Sequence, residues 1–358
     1  IFQRGDPPYA SEGGGFEWDG DTPIIQRTEE VRFSLTIPTQ EVPAAGHPVV
    51  LALPGTGGGI FDHFIPNGNT AQGQLLSAWG VATFSFEPPL HGGRGEPYGA
   101  QPDLHTYNFF NPESFRSNFR QEAVDASVAI RFLRESLAQY VQVEENRQLN
   151  VGKGKLGFFG HSQGAHIGTL LAAVEPEVDP VYVNGMGGVL AYTFIERKDM
   201  LDIEEAVRLA IGEDTEMTVF HPVIGMAQML AGIADPINYA REWFLEAAPG
   251  EGTSVMQSNG YLDTATPWIT ATGLAVAGGN PLIEPAGWDV PEMEWVDRDP
   301  VELPYSGNLT AADGEAITGG VITRAETGHF TVQDLVGVAE TAAEFVATGL
   351  FDGLPTAQ

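Results

Sequence analysis

The sequence predicts an α/β fold in which helices cover both faces of a mostly parallel central sheet. Three observations favour this class. Short apolar segments of strand length recur along the chain, turns rich in Gly or Pro follow them, and stretches of helical period separate them. Strands that are apolar throughout are typical of parallel sheets, because crossover helices bury both faces of such a sheet.

The strands are predicted in chain order from the pattern of apolar residues. Residues 1–30 contain several Gly, Pro and Asp clusters and are expected to form an N-terminal arm of loops. Apolar and polar side chains then alternate over residues 31–37, which is the period of a half-buried strand. Short segments rich in apolar residues predict the remaining strands, at residues 49–53, 81–86, 156–159, 181–183, 254–257 and 321–323.

Helical stretches lie between these strands. The clearest covers residues 112–135, where apolar side chains recur at helical spacing and Asn111 is placed to cap the helix N-terminus. Two further helices are predicted at residues 163–174 and 332–348, and each directly follows a predicted strand and its turn.

Two segments exceed a minimal α/β unit, although the chain is expected to form a single domain over residues 1–358. Residues 190–252 separate two predicted strands and contain apolar helical patterns at 200–211 and 222–244, which predicts a helical cap. Residues 279–307 are rich in Pro, Trp and acidic residues. They are predicted to form a long ordered loop before the last strand.

The composition excludes several classes of function. The absence of Cys rules out disulfides, Cys-ligated zinc, iron–sulfur clusters and a thiol nucleophile. Asp and Glu number 48 against 17 Lys and Arg, and the resulting net charge of −31 repels phosphate backbones and anionic lipid surfaces. We therefore expect no nucleic-acid partner. No apolar run approaches the roughly 18 residues that a transmembrane helix needs.

The charge also bears on where the protein works. Only three Lys occur in the chain, and an acidic, Lys-poor surface suits a protein that stays soluble at high ionic strength, where salt screens charge repulsion. An acidic secreted protein without such adaptation is the alternative. The chain begins with Ile1 and shows no signal-peptide pattern, so we expect a mature, secreted bacterial protein.

The segment Gly160-His161-Ser162-Gln163-Gly164 carries the strongest chemical signal. The pattern G-x-S-x-G is weakly specific alone, but here it follows a predicted strand and opens a predicted helix. Such a turn holds its serine in a strained, exposed position, and glycines two residues before and after it avoid a clash. We predict Ser162 as a nucleophile, with an ordinary Gly-rich turn as the alternative.

A serine nucleophile needs a general base and a group that orients that base. Of the eight histidines, His329 is the best placed, because it follows the last predicted strand and lies where loops reach over the carboxyl ends of strands. A surface-loop histidine is the alternative. Asp263 directly follows another predicted strand and is the predicted orienting acid. The competing acids in the cap and the long loop are Asp235, Asp289 and Asp297.

Two backbone N–H groups are needed to stabilise the oxyanion of a tetrahedral intermediate. Gln163, the residue after the serine, is predicted to supply one. The glycine-rich turn after residues 49–53 is predicted to supply the other, at Thr56, with Gly57 as the next choice. A phosphate cradle is the rival interpretation of this turn, but no Gly-Lys-Ser/Thr follows it.

Taken in chain order, these segments resemble an α/β-hydrolase-fold serine hydrolase. The resemblance rests on Pro54-Gly55-Thr56-Gly57-Gly58, His91-Gly92-Gly93-Arg94-Gly95, Gly160-His161-Ser162-Gln163-Gly164, Gly260-Tyr261-Leu262-Asp263 and Gly328-His329. It covers residues 31–350 apart from the two insertions, and it implies the α/β-hydrolase fold with the order Ser, Asp, His. The serine turn is similar to those of bacterial lipases and esterases. Two departures are Pro54, where the family often has His, and a longer interval between Asp and His.

The predicted constellation transfers an acyl group to water and needs neither a metal nor a cofactor. Acidic clusters such as residues 175–179 and 297–302 lack the spacing of a calcium-binding EF-hand. The apolar cap favours a hydrophobic ester, small or polymeric, and its candidate contacts are Met226, Met229 and Trp268. We therefore predict a secreted esterase or lipase. An amidase or peptidase with the same triad and a non-catalytic binding protein are the alternatives.

Overall fold

A sheet of ten strands forms the centre of the computed structural model, which describes residues 1–66, 68–99, 101–151, 156–198 and 202–358. In chain order the strands are β1 Phe33–Thr36, β2 His47–Leu53, β3 Ala82–Phe86, β4 Leu149–Asn150, β5 Leu156–His161, β6 Val178–Asn184, β7 Val255–Gly260, β8 Leu282–Glu284, β9 Val301–Glu302 and β10 Gly320–Arg324. Their spatial order is β9-β8-β10-β7-β6-β5-β2-β3-β1, and β4 pairs with the start of β2.

The pairings of the sheet are parallel, except that the edge strand β1 runs antiparallel to β3. The strands β2, β3 and β7 are buried along their whole length, whereas β1 is partly exposed. This difference explains the two sequence patterns, since an inner strand is apolar on both faces and an edge strand alternates. The predicted mostly parallel sheet is confirmed.

Helices pack on both faces of the sheet. They are α1 Gln72–Ala78, α2 Gly92–Gly95, α3 Pro112–Phe132, α4 Ala138–Glu144, α5 Gln163–Val174, α6 Leu190–Glu196, α7 Ile203–Ile211, α8 Pro222–Ala231, α9 Trp268–Gly278, α10 Thr331–Asp334 and α11 Val336–Asp352. Asn111 caps α3, as predicted, by accepting a hydrogen bond from the Ser114 N–H. Among the described helices, none has the length and apolar character needed to cross a membrane.

Two hydrophobic clusters join these helices to the sheet. On β5, Phe158 belongs to a cluster that includes side chains of α3 and α5. Its neighbour Phe159 belongs to a second cluster that includes side chains of α1 and α11. Because neighbouring side chains of a strand point to opposite faces, these two residues show that the sheet is covered on both sides.

The cap differs from its prediction in the length of its helices. The helix predicted at 222–244 ends at Ala231, and short 3₁₀ turns follow it. One cause is Pro236, which has no N–H for a helical hydrogen bond and is preceded by the capping residue Asp235. The helix predicted at 200–211 is observed as Ile203–Ile211, and its predicted start lies outside the described residues.

The segment at residues 279–307 is only partly the predicted loop. Its two short strands, β8 and β9, extend the sheet at one edge, and a 3₁₀ helix, Pro291–Val296, lies between them. Prolines flank β8, which leaves it too short to show a strand pattern.

Outside the main sheet, short strands pair as Trp18–Asp19 with Thr22–Pro23, Tyr305–Ser306 with Thr356–Ala357, and Leu309–Thr310 with Ala316–Ile317. Further short turns are Glu96–Tyr98, Pro102–Tyr107 and Leu133–Leu137, the last a π-turn that joins α3 to α4.

Candidate active site

Ser162 lies in the sharp turn between β5 and α5. Its backbone has φ 53° and ψ −115°, a strained conformation for a residue with a side chain. The turn is close-packed: a Cβ atom on Gly160 would lie 2.5 Å from the Gly164 carbonyl oxygen, and one on Gly164 would overlap the Leu53 carbonyl. The glycines on either side of the serine are therefore required by space, as the G-x-S-x-G pattern predicts.

His329 and Asp263 come together at the carboxyl edge of the sheet. His329 lies in the turn between β10 and α10, and its Nδ1 is 2.8 Å from Asp263 Oδ2. The other carboxylate oxygen accepts the backbone N–H groups of Ala265 and Thr266 at 2.8 and 2.7 Å. Because an ionised carboxylate only accepts hydrogen bonds, Nδ1 carries the proton, and Nε2 of the neutral ring keeps its lone pair.

The serine and the histidine line the same cavity. It has a volume of about 520 Å³, and its walls include Ser162, His329, Thr56 and Phe330. The Asp263 side chain is fully buried, whereas the His329 side chain is 15% exposed. The candidate nucleophile and the candidate base thus share one solvent-accessible space, and the Asp263 carboxylate is shielded from water.

The two residues predicted to form the oxyanion hole are also adjacent. Gln163 is the first residue of α5, and Thr56 lies in the turn that follows β2. The Thr56 hydroxyl donates to Gln163 Oε1 at 3.0 Å, and the Gly164 N–H donates to the Pro54 carbonyl at 3.0 Å. These bonds join the glycine-rich turn to the start of the helix beside the serine.

Asn184, at the end of β6, ties the serine turn to the histidine turn. It is fully buried, and its backbone carbonyl accepts the Ser162 N–H at 2.8 Å. Its side-chain amide donates to His161 Nδ1 at 2.8 Å and to the His329 carbonyl at 3.3 Å. Its side-chain oxygen accepts from the Val332 N–H and the Ser258 hydroxyl. Sequence analysis did not single out Asn184, although its place at the carboxyl end of a central strand was a usable signal.

His161 packs against His329, the candidate base, and is not itself a candidate catalytic residue. Its ring centre is 4.9 Å from that of His329 and 4.8 Å from that of Phe330. Burial, and secondarily the nearby His329, hold the pKa of His161 well below its ordinary value. Since Nδ1 accepts a hydrogen bond from Asn184, the neutral ring carries its proton on Nε2.

The competing acids do not contact the histidine in the described structure. Asp235 is buried, and its carboxylate accepts the N–H groups of Val189 and Leu190 at the start of α6. Asp289 and Asp297 are exposed. Asp235 therefore has a structural task in the cap. Among the described residues, no three His, Asp or Glu side chains form a cluster that could hold a metal ion.

The three predicted substrate contacts lie outside the described walls of the Ser162 cavity. Met226, Met229 and Trp268 are not among the described residues that line the Ser162 cavity. Met226 lines a separate apolar groove, Met229 is 74% exposed, and Trp268 stacks on Tyr261 with ring centres 5.5 Å apart. The physical reason is that α8 packs against α3 and α6, to one side of the serine turn. Helical spacing predicts an apolar face but not the surface that this face meets.

Comparison with known proteins identifies the fold. No family model matches the chain, and no curated protein matches it. The structure of a 2,6-dihydroxy-pseudo-oxynicotine hydrolase aligns over 91% of this chain and 66% of its own length, at 13% identity and a TM-score of 0.52. An acetyl xylan esterase from Paenibacillus sp. R4 aligns over 84% of this chain and 74% of its own, at 13% identity and a TM-score of 0.50.

A third similar structure is much longer than this chain. A puromycin-hydrolyzing peptidase from Mycobacterium tuberculosis aligns over 90% of this chain, at 13% identity and a TM-score of 0.48. The chain spans 38% of that protein's length, and about two thirds of the first structure's length. The strand order, the serine turn and the two similarities with TM-scores of 0.50 and 0.52 show that the chain has the α/β-hydrolase fold.

Proposed function

We propose that the protein is a serine hydrolase that cleaves carboxylic esters through an acyl-enzyme on Ser162. The observation that carries this proposal is the 2.8 Å hydrogen bond between His329 and a buried Asp263, beside a strained serine in the same cavity. In this proposal His329 is the base, Asp263 orients it, and the backbone N–H groups of Gln163 and Thr56 stabilise the oxyanion.

The first half-reaction forms the acyl-enzyme. His329 Nε2 takes the proton of the Ser162 hydroxyl as its oxygen attacks the ester carbonyl, and the carbonyl oxygen becomes an oxyanion. The N-terminus of α5 lies beside this oxygen and favours its negative charge. When the intermediate collapses, the ester C–O bond breaks, and the histidine returns its proton to the departing alcohol.

The second half-reaction repeats these steps with water. His329 takes a proton from the water as it attacks the acyl carbon, and Ser162 leaves with that proton to regenerate the enzyme. Throughout, the Asp263 carboxylate holds the ring in one tautomer and stabilises the imidazolium. Its two backbone donors, Ala265 and Thr266, keep the carboxylate in place.

The proposed ester activity is tested with matched chromogenic substrates. We expect hydrolysis of p-nitrophenyl esters and little turnover of the corresponding p-nitroanilide, because the amide bond is less reactive and its amine is a poorer leaving group than p-nitrophenolate. Turnover of the anilide at a rate comparable with the ester would favour the amidase or peptidase alternative. No turnover of either, with no reaction of Ser162 toward a fluorophosphonate, would favour a binding protein. Release of soluble products from a polyester film tests polymer activity.

A further inference from the structure

An apolar groove lies outside the Ser162 cavity, between α3 and the cap helices α7 and α8. It has a volume of about 250 Å³, and its lining includes Phe110, Phe115, Ile203, Met226 and Leu230. Phe110 and Met226 are 66% and 58% exposed. Large apolar side chains that stay open to solvent around a groove mark a surface that binds an apolar group.

A middle cavity adjoins both the groove and the Ser162 cavity. Its volume is about 470 Å³. Arg197 borders the Ser162 cavity and the middle cavity, while Phe109, Phe110 and Ile203 border the middle cavity and the groove. The middle cavity therefore shares lining residues with each of the other two spaces.

We propose that the groove is the subsite for a long apolar acyl chain of the ester substrate. The chain would extend from Ser162 past Arg197, through the middle cavity, and end among the apolar side chains of α7 and α8. This proposal rests on the proposed ester hydrolysis and names its substrate class, which is medium- or long-chain carboxylic esters. The shared lining residues argue for this occupant, because a group covalently joined to the reacting carbonyl must extend from the Ser162 cavity toward a neighbouring space.

The α8 helix offers a matched pair of variants. Met226 lines the groove, whereas Met229, on the same helix and more exposed at 74%, is not among its described lining residues. The experiment measures kcat/KM for p-nitrophenyl esters from acetate to decanoate, below the concentration at which they aggregate. The proteins are the wild type, the double variant Met226→Gln/Leu230→Gln, and the control Met229→Gln, each with its melting temperature.

We expect the wild type to prefer the longer esters. The double variant should lose roughly 10-fold on decanoate and keep its rate on acetate, since apolar contacts discriminate by about this factor. Met229→Gln should behave as the wild type. If acetate is cleaved but the decanoate-to-acetate ratio is the same in all three proteins, or if the wild type prefers acetate, the subsite proposal is wrong and the hydrolase remains. If no ester is cleaved, both proposals fail.

A second observation concerns a chain of buried polar side chains behind the oxyanion residues. Gln163 Nε2 donates to Glu122 Oε2 at 2.8 Å, and the Thr56 hydroxyl donates to Gln163 Oε1 at 3.0 Å. Because the Thr56 hydroxyl proton is engaged in the bond to Gln163, the Tyr107 hydroxyl is the donor to Thr56 Oγ1, 2.8 Å away. Arg197 in turn hydrogen-bonds the Tyr107 hydroxyl. Each hydrogen bond in this chain is therefore donated in the direction that leads from the Ser162 cavity to Glu122.

The carboxyl at the end of this chain is almost wholly buried. The pKa of Glu122 is raised to about 8, chiefly by burial; the Gln163 hydrogen bond and Arg94 act to lower it, and the nearby Asp125 acts to raise it. The positive charge of Arg94 is shared with two acids, since it bonds Asp125 at 2.8 Å and Glu29 at 3.0 Å. Glu122 Oε1 has no hydrogen-bond partner in the described part of the chain.

We infer that Glu122 is a positioning residue, which in its neutral form holds Gln163 and Thr56 where their N–H groups meet the oxyanion. Ionised Glu122 would place a negative charge behind a site that must stabilise another one. This inference also rests on the proposed function. It requires that deprotonation of Glu122 lowers kcat and changes KM less, because the oxyanion exists only in the transition state and the intermediates.

The variant Glu122→Gln tests this inference, because it keeps an acceptor for Gln163 and cannot ionise. We expect wild-type kcat to fall as the pH rises through about 8, and the variant to lack this fall. Glu113→Gln, an exposed change on the same helix, should keep it. The inference is overturned if Glu122→Gln retains the alkaline fall with the wild-type midpoint, or if the wild type shows none.

Stability provides a separate readout for the same group. The pKa of Glu122 in the folded protein is raised to about 8 from an ordinary value of 4.5. The stabilisation from its neutral form is therefore fully present below pH 4.5 and is lost as the pH rises through about 8. In Glu122→Gln, the free energy of unfolding should fall less over this range. A variant that follows the wild-type pH dependence would show that Glu122 is not buried as described.

Discussion

At the scale of single residues, Asp263 shows how backbone N–H groups and an imidazole fix a buried carboxylate. One oxygen accepts two backbone N–H groups, and the other accepts the His329 Nδ1 proton. An asparagine at this position keeps the shape but has no second acceptor oxygen. If its amide nitrogen faces the ring, the histidine is driven to the wrong tautomer.

We therefore predict that Asp263→Asn lowers kcat by about three to four orders of magnitude and leaves the melting temperature within a few degrees. Asp289→Asn and Asp297→Asn, at exposed positions, should retain most of the rate. The check is steady-state hydrolysis of a p-nitrophenyl ester. Near-normal turnover of Asp263→Asn would show that a different acid orients the histidine.

Asn184 links the serine and the histidine through its own side chain and carbonyl. We predict that Asn184→Asp, which removes the donors to His161 and the His329 carbonyl, lowers kcat roughly 10- to 100-fold with a smaller effect on KM, because misplaced catalytic groups cost rates of this size. Ser258→Ala, which removes only one bond to the asparagine oxygen, should be milder. Equal effects of the two variants on kcat would contradict this role.

The sequence predicts the site residues to different degrees, for physical reasons. Ser162, Asp263 and His329 each follow a strand that ends at the same edge of the sheet, and strand ends are visible as the end of an apolar run. Asn184 also ends such a run, but an asparagine there fits an ordinary turn equally well. The spacing of Met226 and Met229 predicts an apolar helix face but does not encode which surface α8 packs on, so the sequence could not show that they lie outside the walls of the Ser162 cavity.

At the scale of elements, the turn between β5 and α5 is the most tightly packed junction at the site. The Gly164 position touches the backbone of β2 at Leu53 and donates its N–H to the Pro54 carbonyl. The close approach of the helix to the sheet therefore depends on the absence of a side chain there.

We predict that Gly164→Ala lowers the free energy of unfolding by about 1–3 kcal/mol and impairs activity, because the added Cβ would overlap the Leu53 carbonyl. The control is Gly225→Ala in α8, where a Cβ would meet no atom within 4 Å. This change should stabilise the protein by up to about 1 kcal/mol through helix propensity. Chemical denaturation measures both. A neutral Gly164→Ala would mean that the turn is looser than described.

Elements were predictable from sequence in proportion to their length and regularity. The long helix α3 and the buried strands β2 and β3 show clear patterns, and the structure has them close to their predicted bounds. The strands β8 and β9, of three and two residues, are too short to have a period, so the sequence predicts a loop there. The cap helix was predicted too long because its apolar pattern continues past the residues where Gly and Pro end it.

At the scale of the whole molecule, the charge is the dominant feature. The net charge of −31 leaves most acidic groups without a basic partner, because 17 Lys and Arg face 48 Asp and Glu. Their mutual repulsion destabilises the compact state, and dissolved salt screens it over a Debye length of roughly 8–10 Å at moderate ionic strength. Secretion and a saline habitat stay predictions, since the fold does not depend on them.

We predict that the melting temperature rises with NaCl, with most of the increase in the first few hundred millimolar. The same ionic strength of another monovalent salt should give a similar rise, because screening depends on ionic strength. Thermal unfolding followed by circular dichroism is sufficient. An unchanged or lower melting temperature would show that the acidic groups are too dispersed, or too well paired, to repel one another appreciably.

The central claim is that Ser162 is a nucleophile activated by His329. The most direct measurement is the mass of the protein after reaction with a fluorophosphonate at neutral pH, followed by peptide mapping. We expect one adduct per chain, on Ser162, with no adduct in Ser162→Ala and labelling slowed by orders of magnitude in His329→Ala. An unlabelled wild type, or equal labelling of wild type and Ser162→Ala, would contradict it.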